Sequence, residues 1–125
     1  MSSRPQFNPY SVITNGDMSG SLTSAVTIIQ KLSMLSYDIA WSAGSTPVGV
    51  ITVQVSNTYT QDGSGVVVNA GNWSTLVLSS PLNVSGNSGT LFVDIDQIGA
   101  YAMRLVYTRT SGSGTLNVTI AGKVA

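Results

Sequence analysis

Cysteine, histidine and glutamate are all missing from this chain. Without thiols there is no disulfide scaffold, no thiolate zinc site, no iron–sulfur cluster and no Cys nucleophile. Without imidazole there is no Ser-His-Asp triad. Charge is scarce as well: five basic and five acidic side chains, all of the latter Asp, give a net charge of zero. Such a surface neither tracks a phosphate backbone nor steers a charged partner, so nucleic acid is not an expected partner. Hydrophobic residues make up 42% of the sequence, but no unbroken apolar run nears the ~20 residues of a membrane helix. No membrane partner is expected. The opening stretch Met1 to Phe7 lacks the apolar segment of a secretory signal. Composition points away from an enzyme, and no cofactor is expected.

What is present is β-rich. The 125 residues suffice for one domain with its own core. Ser, Thr and Gly number 19, 13 and 13, and Val adds 15, whereas the good helix formers Glu, Lys and Arg are almost absent. Apolar residues alternate with polar ones in several runs, the period of a half-buried strand. Leu35, Tyr37, Ile39 and Trp41 alternate with Ser36, Asp38, Ala40 and Ser42. Ile51, Val53 and Val55 repeat the pattern, as do Leu91, Val93 and Ile95 against Phe92, Asp94 and Asp96. Tyr101, Met103, Leu105 and Tyr107 oppose Ala102, Arg104, Val106 and Thr108; Leu116, Val118 and Ile120 form the last run. The stretch Ala25 to Leu35 is the best helical candidate, but its Val, Thr and Ile favour a strand.

Turn chemistry separates these runs. Ser42 to Pro47 reads as the loop between the second and third strands, and Ser111-Gly-Ser-Gly114 as a hairpin joining the last two. Asp62 to Gly65 and Asn69 to Asn72 bracket the short apolar piece Val66 to Val68, and Asn83 to Gly89 forms another loop. The expectation is an all-β fold, an antiparallel β-sandwich or jelly roll of about seven or eight strands over residues 21–125. Residues 1–20, broken by Pro5, Pro9, Asn15-Gly16 and Gly20, read as an extended N-terminal arm. A ragged terminus and a strand completing the domain's own sheet are the alternatives.

Few residues offer chemistry. Asp94 and Asp96 share one side of a strand, with Asp62 and Asp38 elsewhere. Calcium would want six to eight oxygens on a dense ligand loop, and an acid–base pair would want a third group to tune it. A solvated face or an Arg partner is the simpler reading, so neither a metal nor a catalytic residue is expected. Arg104 should emerge opposite Met103 and Leu105, where it could pair with Asp94 or Asp96 across strands or anchor an interface, as could Arg109. Trp41 belongs to the core by its phase, whereas Trp73, opening a strand after the Asn69–Asn72 turn, and Tyr59, in the loop after the third strand, could be exposed and face a sugar. Phe7 and Tyr10 are the apolar anchors of the arm. The glycine pairs are not phosphate loops, since no Lys-Ser/Thr follows. The sequons at Asn72, Asn83 and Asn117 fit a chain rich in Asn, Ser and Thr.

The order of the pieces is distinctive. A Ser/Thr-rich opening leads to Tyr37-x-Ile-x-Trp41, then to Pro47-Val-Gly-Val-Ile-Thr-Val-Gln-Val-Ser-Asn57, Asn72-Trp-Ser-Thr-Leu76 and Val84-Ser-Gly86. It closes with Gly99-Ala-Tyr-Ala-Met-Arg-Leu-Val-Tyr-Thr-Arg-Thr-Ser-Gly-Ser-Gly-Thr-Leu116. Over residues 22–123 this resembles small β-sandwich accessory proteins of tailed-bacteriophage virions, head-decoration or tail-associated, and its plan is similar to discoidin-like binding sandwiches. Residues 1–20 match no part of the likeness. The resemblance implies a binding or structural role in the virion, reached from synthesis in the host cytoplasm. Its implied partners are the major capsid protein or other virion proteins, and it implies a homo-oligomer, a trimer being the favoured guess. A decoration or cement protein is the first expectation, and a tail- or fibre-associated module that binds a glycan or receptor is the second.

Overall fold

The computed structural model describes residues 6–29, 34–76, 78, 81–96 and 101–123, without the side chains of 6–8, 96 and 123. Every regular element among them is a strand. In chain order these are β1 (Gln6–Asp17), β2 (Leu22–Thr23), β3 (Thr27–Ile28), β4 (Met34–Ser56), β5 (Thr60–Gln61), β6 (Val67–Asn69), β7 (Ser74–Thr75), β8 (Leu82–Val84), β9 (Gly89–Asp96) and β10 (Ala102–Lys123). No helix among the described residues is long and apolar enough to cross a membrane.

Two strands dominate. β4 has 23 residues and β10 has 22. Straight, each would span roughly 75 Å, yet a chain of this length has a radius of gyration of about 14 Å. They must bend, and they bend together. Their antiparallel pairing runs from Ala102 opposite Ser56 to Lys123 opposite Met34, with irregularities confined to the stretch between Arg109 and Thr115. Ala43, Thr46 and Gly112 take positive φ there, at 53°, 45° and 77°. Gly112 is required twice over, since a Cβ would also collide with the Thr46 carbonyl. Ser42 to Pro47 and Ser111 to Gly114 are therefore corners within continuous strands, not the loop and hairpin their composition suggests. The turn residues do turn the chain, but the partner turns at the same place and the ladder continues.

The corner divides the molecule into two four-stranded layers. One carries β1, the second half of β10, the first half of β4 and β9, in that order. The other carries β2 and β3, the first half of β10, the second half of β4, and then β7 and β8. Counting the halves as separate strands, the first pairs with the eighth, the second with the seventh, the third with the sixth and the fourth with the fifth. That is a long antiparallel hairpin rolled on itself, a jelly roll. The fold is the expected antiparallel β-sandwich. β5 and β6 form a separate two-stranded ribbon.

One core lies between the layers. Leu35, Tyr37, Ile39 and Trp41 face Ile51, Val53, Met103, Leu105 and Tyr107, with Leu116, Val118 and Ile120 beside them. Each such side chain, fully buried, contributes about 1.5–3 kcal/mol. Trp41 is a core residue, as its phase required, and donates from Nε1 to the Gly86 carbonyl at 3.2 Å. Gly89 lets it sit there: a Cβ at 89 would lie 2.5 Å from the indole.

Residues 6–17 are not a free arm. β1 is the outer strand of its layer, paired with β10. Val12 and Ile13 from this segment and Met18 just after it are buried in the core, and the Met18 N–H donates to the Gly114 carbonyl at 2.9 Å. Register shifts in β1 absorb the turn-forming residues that made the segment look irregular. The strand alternative for this segment is the one found, because the edge of β10 needs a partner and Val12, Ile13 and Met18 supply apolar contact.

Tyr37 is fully buried, and its hydroxyl finds no hydrogen-bond partner among the described residues. Burial, with a smaller contribution from the neighbouring Tyr10, holds this phenol well above its ordinary value of 10.0. The unfolded chain ionises it first, so the associated stability is complete below about pH 10 and is lost as pH rises further. Tyr37→Phe is expected to gain up to about 1 kcal/mol at neutral pH, by removing an unpaired buried hydroxyl. It should also flatten the alkaline loss. Urea unfolding at neutral and strongly alkaline pH checks both, and an unchanged alkaline slope would assign the loss to another group.

Candidate functional site

At the end of β4 the chain leaves the sheet through a tight turn. The buried Ser56 Oγ accepts the backbone N–H groups of Thr58 and Tyr59, each at 3.2 Å, which swings Tyr59 inward to 5% exposure. The β5–β6 ribbon follows. Its tip is held by the Asp62 carboxylate, which accepts from the Ser64 and Val66 N–H groups at 2.8 and 3.0 Å. The return passes Gly71, at φ 81°, where a Cβ would meet Ser56 Oγ and the Tyr59 backbone at 2.8 Å. The Asn72 N–H then donates to Thr58 Oγ1 at 2.6 Å. These constraints deliver Trp73 beside the outer face of the second layer, immediately before β7 pairs with Gln54 and Val55.

There Trp73 meets two other residues singled out by the sequence. Its ring lies 5.7 Å from the Tyr59 ring at a 55° tilt, and the Arg104 Cζ lies 4.2 Å from its centroid. Arg104 and Gln54 are cross-strand neighbours, and Arg104 Nε donates to Gln54 Oε1 at 2.8 Å. Trp73 Nε1 donates to the Ala70 carbonyl at 2.9 Å, and Gln61 Nε2 donates to the Tyr59 hydroxyl at 2.7 Å. The guanidinium is thus fixed by one hydrogen bond and one aromatic face. Among the described residues no carboxylate pairs with it. Chemically this is a preorganised cation with terminal N–H donors, framed by aromatic and amide groups.

The expected pair of Arg104 with Asp94 does not form within the chain. Asp94 is exposed on β9, in the other layer, so the body of the sandwich separates the two; the Asp96 side chain lies outside the described residues. Among the described residues no group of three or more acidic side chains is placed to hold a metal.

The remaining candidates do not join the cluster. Arg109 Nε donates to the Gly112 carbonyl at 2.8 Å and its backbone N–H to Ser21 Oγ at 3.1 Å, which ties it to the corner. Tyr10, 44% exposed, shares a hydrogen bond of 3.1 Å with Thr27 Oγ1 across the open side between β1 and β3. The Phe7 side chain lies outside the described residues. Sequence reasoning missed Gln54 and Gln61, for which no local pattern exists. It also passed over Phe92, although an aromatic in the polar phase of a strand was a readable signal; Phe92 is 66% exposed.

No protein-family model and no curated protein matches the chain. Among solved structures, the SPBc2 prophage-derived protein YomS is similar at a TM-score of 0.48 and 12% identity, covering 97% of this chain and 96% of that one. The cleaved adhesin domain of Lys-gingipain from Porphyromonas gingivalis is similar at a TM-score of 0.36 and 12% identity, covering 84% of this chain and 63% of that one.

If the stacked cation and ring form a real unit, Arg104 and Trp73 are energetically coupled. A double-mutant cycle of Arg104→Met and Trp73→Leu, followed by urea unfolding, is expected to return about 0.5–1 kcal/mol. Strict additivity would mean that the two side chains are merely adjacent.

Proposed function

We propose that this chain is a structural protein of a bacteriophage virion, a decoration protein that binds the major capsid protein and stabilises the head lattice. The reading draws on the sequence resemblance over residues 22–123, and one structural observation carries it. Large apolar side chains stand exposed on several surfaces of an almost uncharged molecule. Val48 and Val50 are 40% and 39% exposed on the second layer, Phe92 is 66% exposed on the first, and Val66, Val67 and Val68 are 60%, 49% and 70% exposed on the ribbon. Isolated exposed apolar residues are ordinary, but this set offers contact by shape and apolar burial, with little dependence on salt. Repeated around a symmetric lattice, weak contacts of this kind gain strength by avidity.

The discriminating measurement is copy number. Phage particles purified on a density gradient are expected to carry this chain at copies comparable to the coat protein. A handful per particle would instead place it on the tail, and absence from particles would remove the virion reading.

A second reading is a tail- or fibre-associated module that binds a glycan or a host receptor. The meeting of Tyr59 and Trp73 favours it; the burial of Tyr59 and the guanidinium over the indole leave less open ring for a sugar to stack on. If that reading holds, a host glycan is expected to quench the Trp73 fluorescence and leave a Trp73→Phe variant unresponsive. A flat response across a glycan panel would exclude it.

A further inference from the structure

The two outer faces of the sandwich differ in a complementary way. On the first layer several outward positions of β4 and β10 are small, Ser36, Ala40, Thr119 and Ala121, beside the larger Asn117. Among the described residues of this face, Phe92 is the most exposed large apolar side chain. Directly across from it on β4 is Asp38, and two residues along β9 on the same side is Asp94, both exposed. The face is an apolar knob flanked by two carboxylates.

The second layer presents the inverse. An apolar groove of about 310 Å³ opens beside β4, lined by Val50, Thr52, Thr75, Leu76, Leu78 and Leu82 among others. A dry cavity of about 150 Å³ already takes a benzene ring, so a phenyl side chain fits. The groove adjoins the cation: Thr52 and Gln54 are two residues apart on one side of β4, and Gln54 holds Arg104. Phe92 and Asp94 are separated by two residues of a strand, about 7 Å, which is also the step from Thr52 to Gln54.

We infer that the chain binds a second copy of itself head to tail. Phe92 of one copy seats in the groove beside Thr52 and Thr75 of the next, while Asp94 meets the Arg104 guanidinium. Arg104 and Trp73 then have the character of interface anchors: an Arg and an aromatic at the centre, with a desolvated charge pair beside an apolar plug. The two contacting faces are different surfaces, so the contact is heterologous and builds a closed ring or an open chain of copies, not a two-fold dimer. The contact takes up Phe92 and Val50 and leaves Val66, Val67 and Val68 of the ribbon exposed for a role in the virion; it goes beyond that role and stands without it, since it needs only purified protein.

The test is sedimentation of the purified full chain across concentration, with far-UV spectra to confirm that each variant keeps its strands. The unaltered chain is expected to assemble. Phe92→Ser, Asp94→Arg and Arg104→Asp should each weaken assembly at least about tenfold. The combined Asp94→Arg, Arg104→Asp chain should recover it, because the charges are exchanged but still opposite. Arg104→Asp also disturbs Trp73 packing, so the exposed Asp94→Arg and Phe92→Ser carry the test if that variant loses structure. A chain that stays monomeric up to millimolar concentration, or assembly indifferent to Phe92→Ser and Asp94→Arg, overturns the inference. Loss in both single charge variants without recovery in the pair would show that the faces matter but not to one another, and would overturn it too.

Discussion

The pairing of β4 with β10 through a shared corner is the constraint on which the rest of the molecule depends. Each long strand supplies one strand to each layer, so the layers are joined by hydrogen-bonded ribbon and cannot slide independently. The register through the corner is uneven. Trp41 opposes Leu116 and Ile51 opposes Tyr107, so β4 takes ten steps (51 − 41) where β10 takes nine (116 − 107). The additional residue in β4 is a bulge in the physical sense: it bends the pair and re-aims the side chains beyond it. All four of those residues end up in the core on the far sides of the bend. A slip by one residue would turn every inward side chain of one layer to solvent.

From that ribbon the edges follow. β1 joins β10 on one layer and β2 and β3 join it on the other, and the Ala25 N–H donates to the Val12 carbonyl at 3.1 Å to close the side between them. On the opposite side the loop 85–88 bridges β8 and β9. Its Asn87 accepts at its carbonyl from the Gly44 N–H at 3.1 Å and at Oδ1 from the Thr46 N–H at 2.9 Å. The corner of β4 is thus tied to the loop that leads into β9, whose outward row carries Phe92 and Asp94. The same corner fixes Arg109 through Gly112. The exposed knob thus sits on a strand whose start is anchored at the bend.

The alternation of residues made the strands, their inward faces and the core position of Trp41 legible in the sequence. The corners were not, because a Gly/Ser/Thr/Pro stretch has the same composition whether it ends a strand or bends one. The difference lies in the partner strand, more than sixty residues away in the chain. β1 was obscured for a related reason: its Pro, Asn and Gly residues look like breaks until the register shifts against β10 accommodate them. At the candidate site, Tyr59, Trp73 and Arg104 were each readable as a residue worth watching, but only the turn built on Ser56 and Gly71 brings them together. The expected partnership of Arg104 with Asp94 failed on topology. Both point outward, as their phase required, but from opposite layers.

That failure is informative because charges are so few. In a protein with many ionic groups, an arginine without a carboxylate and an aspartate without a base would blend into a solvated surface. Here the half-buried cation is held by an amide and an indole, which costs side-chain entropy that a solvated arginine does not lose. The acidic row stands on a layer whose outward positions include several small side chains, Ser36, Ala40, Thr119 and Ala121. A face with two carboxylates beside Phe92 and a face with the Arg104 guanidinium near an apolar groove lie back to back on one body. In the inferred contact, copies of such a body would stack through unlike faces, and the angle between the two faces would decide whether the stack closes. A closed ring would present repeated copies of one surface, which a single weakly binding copy does not.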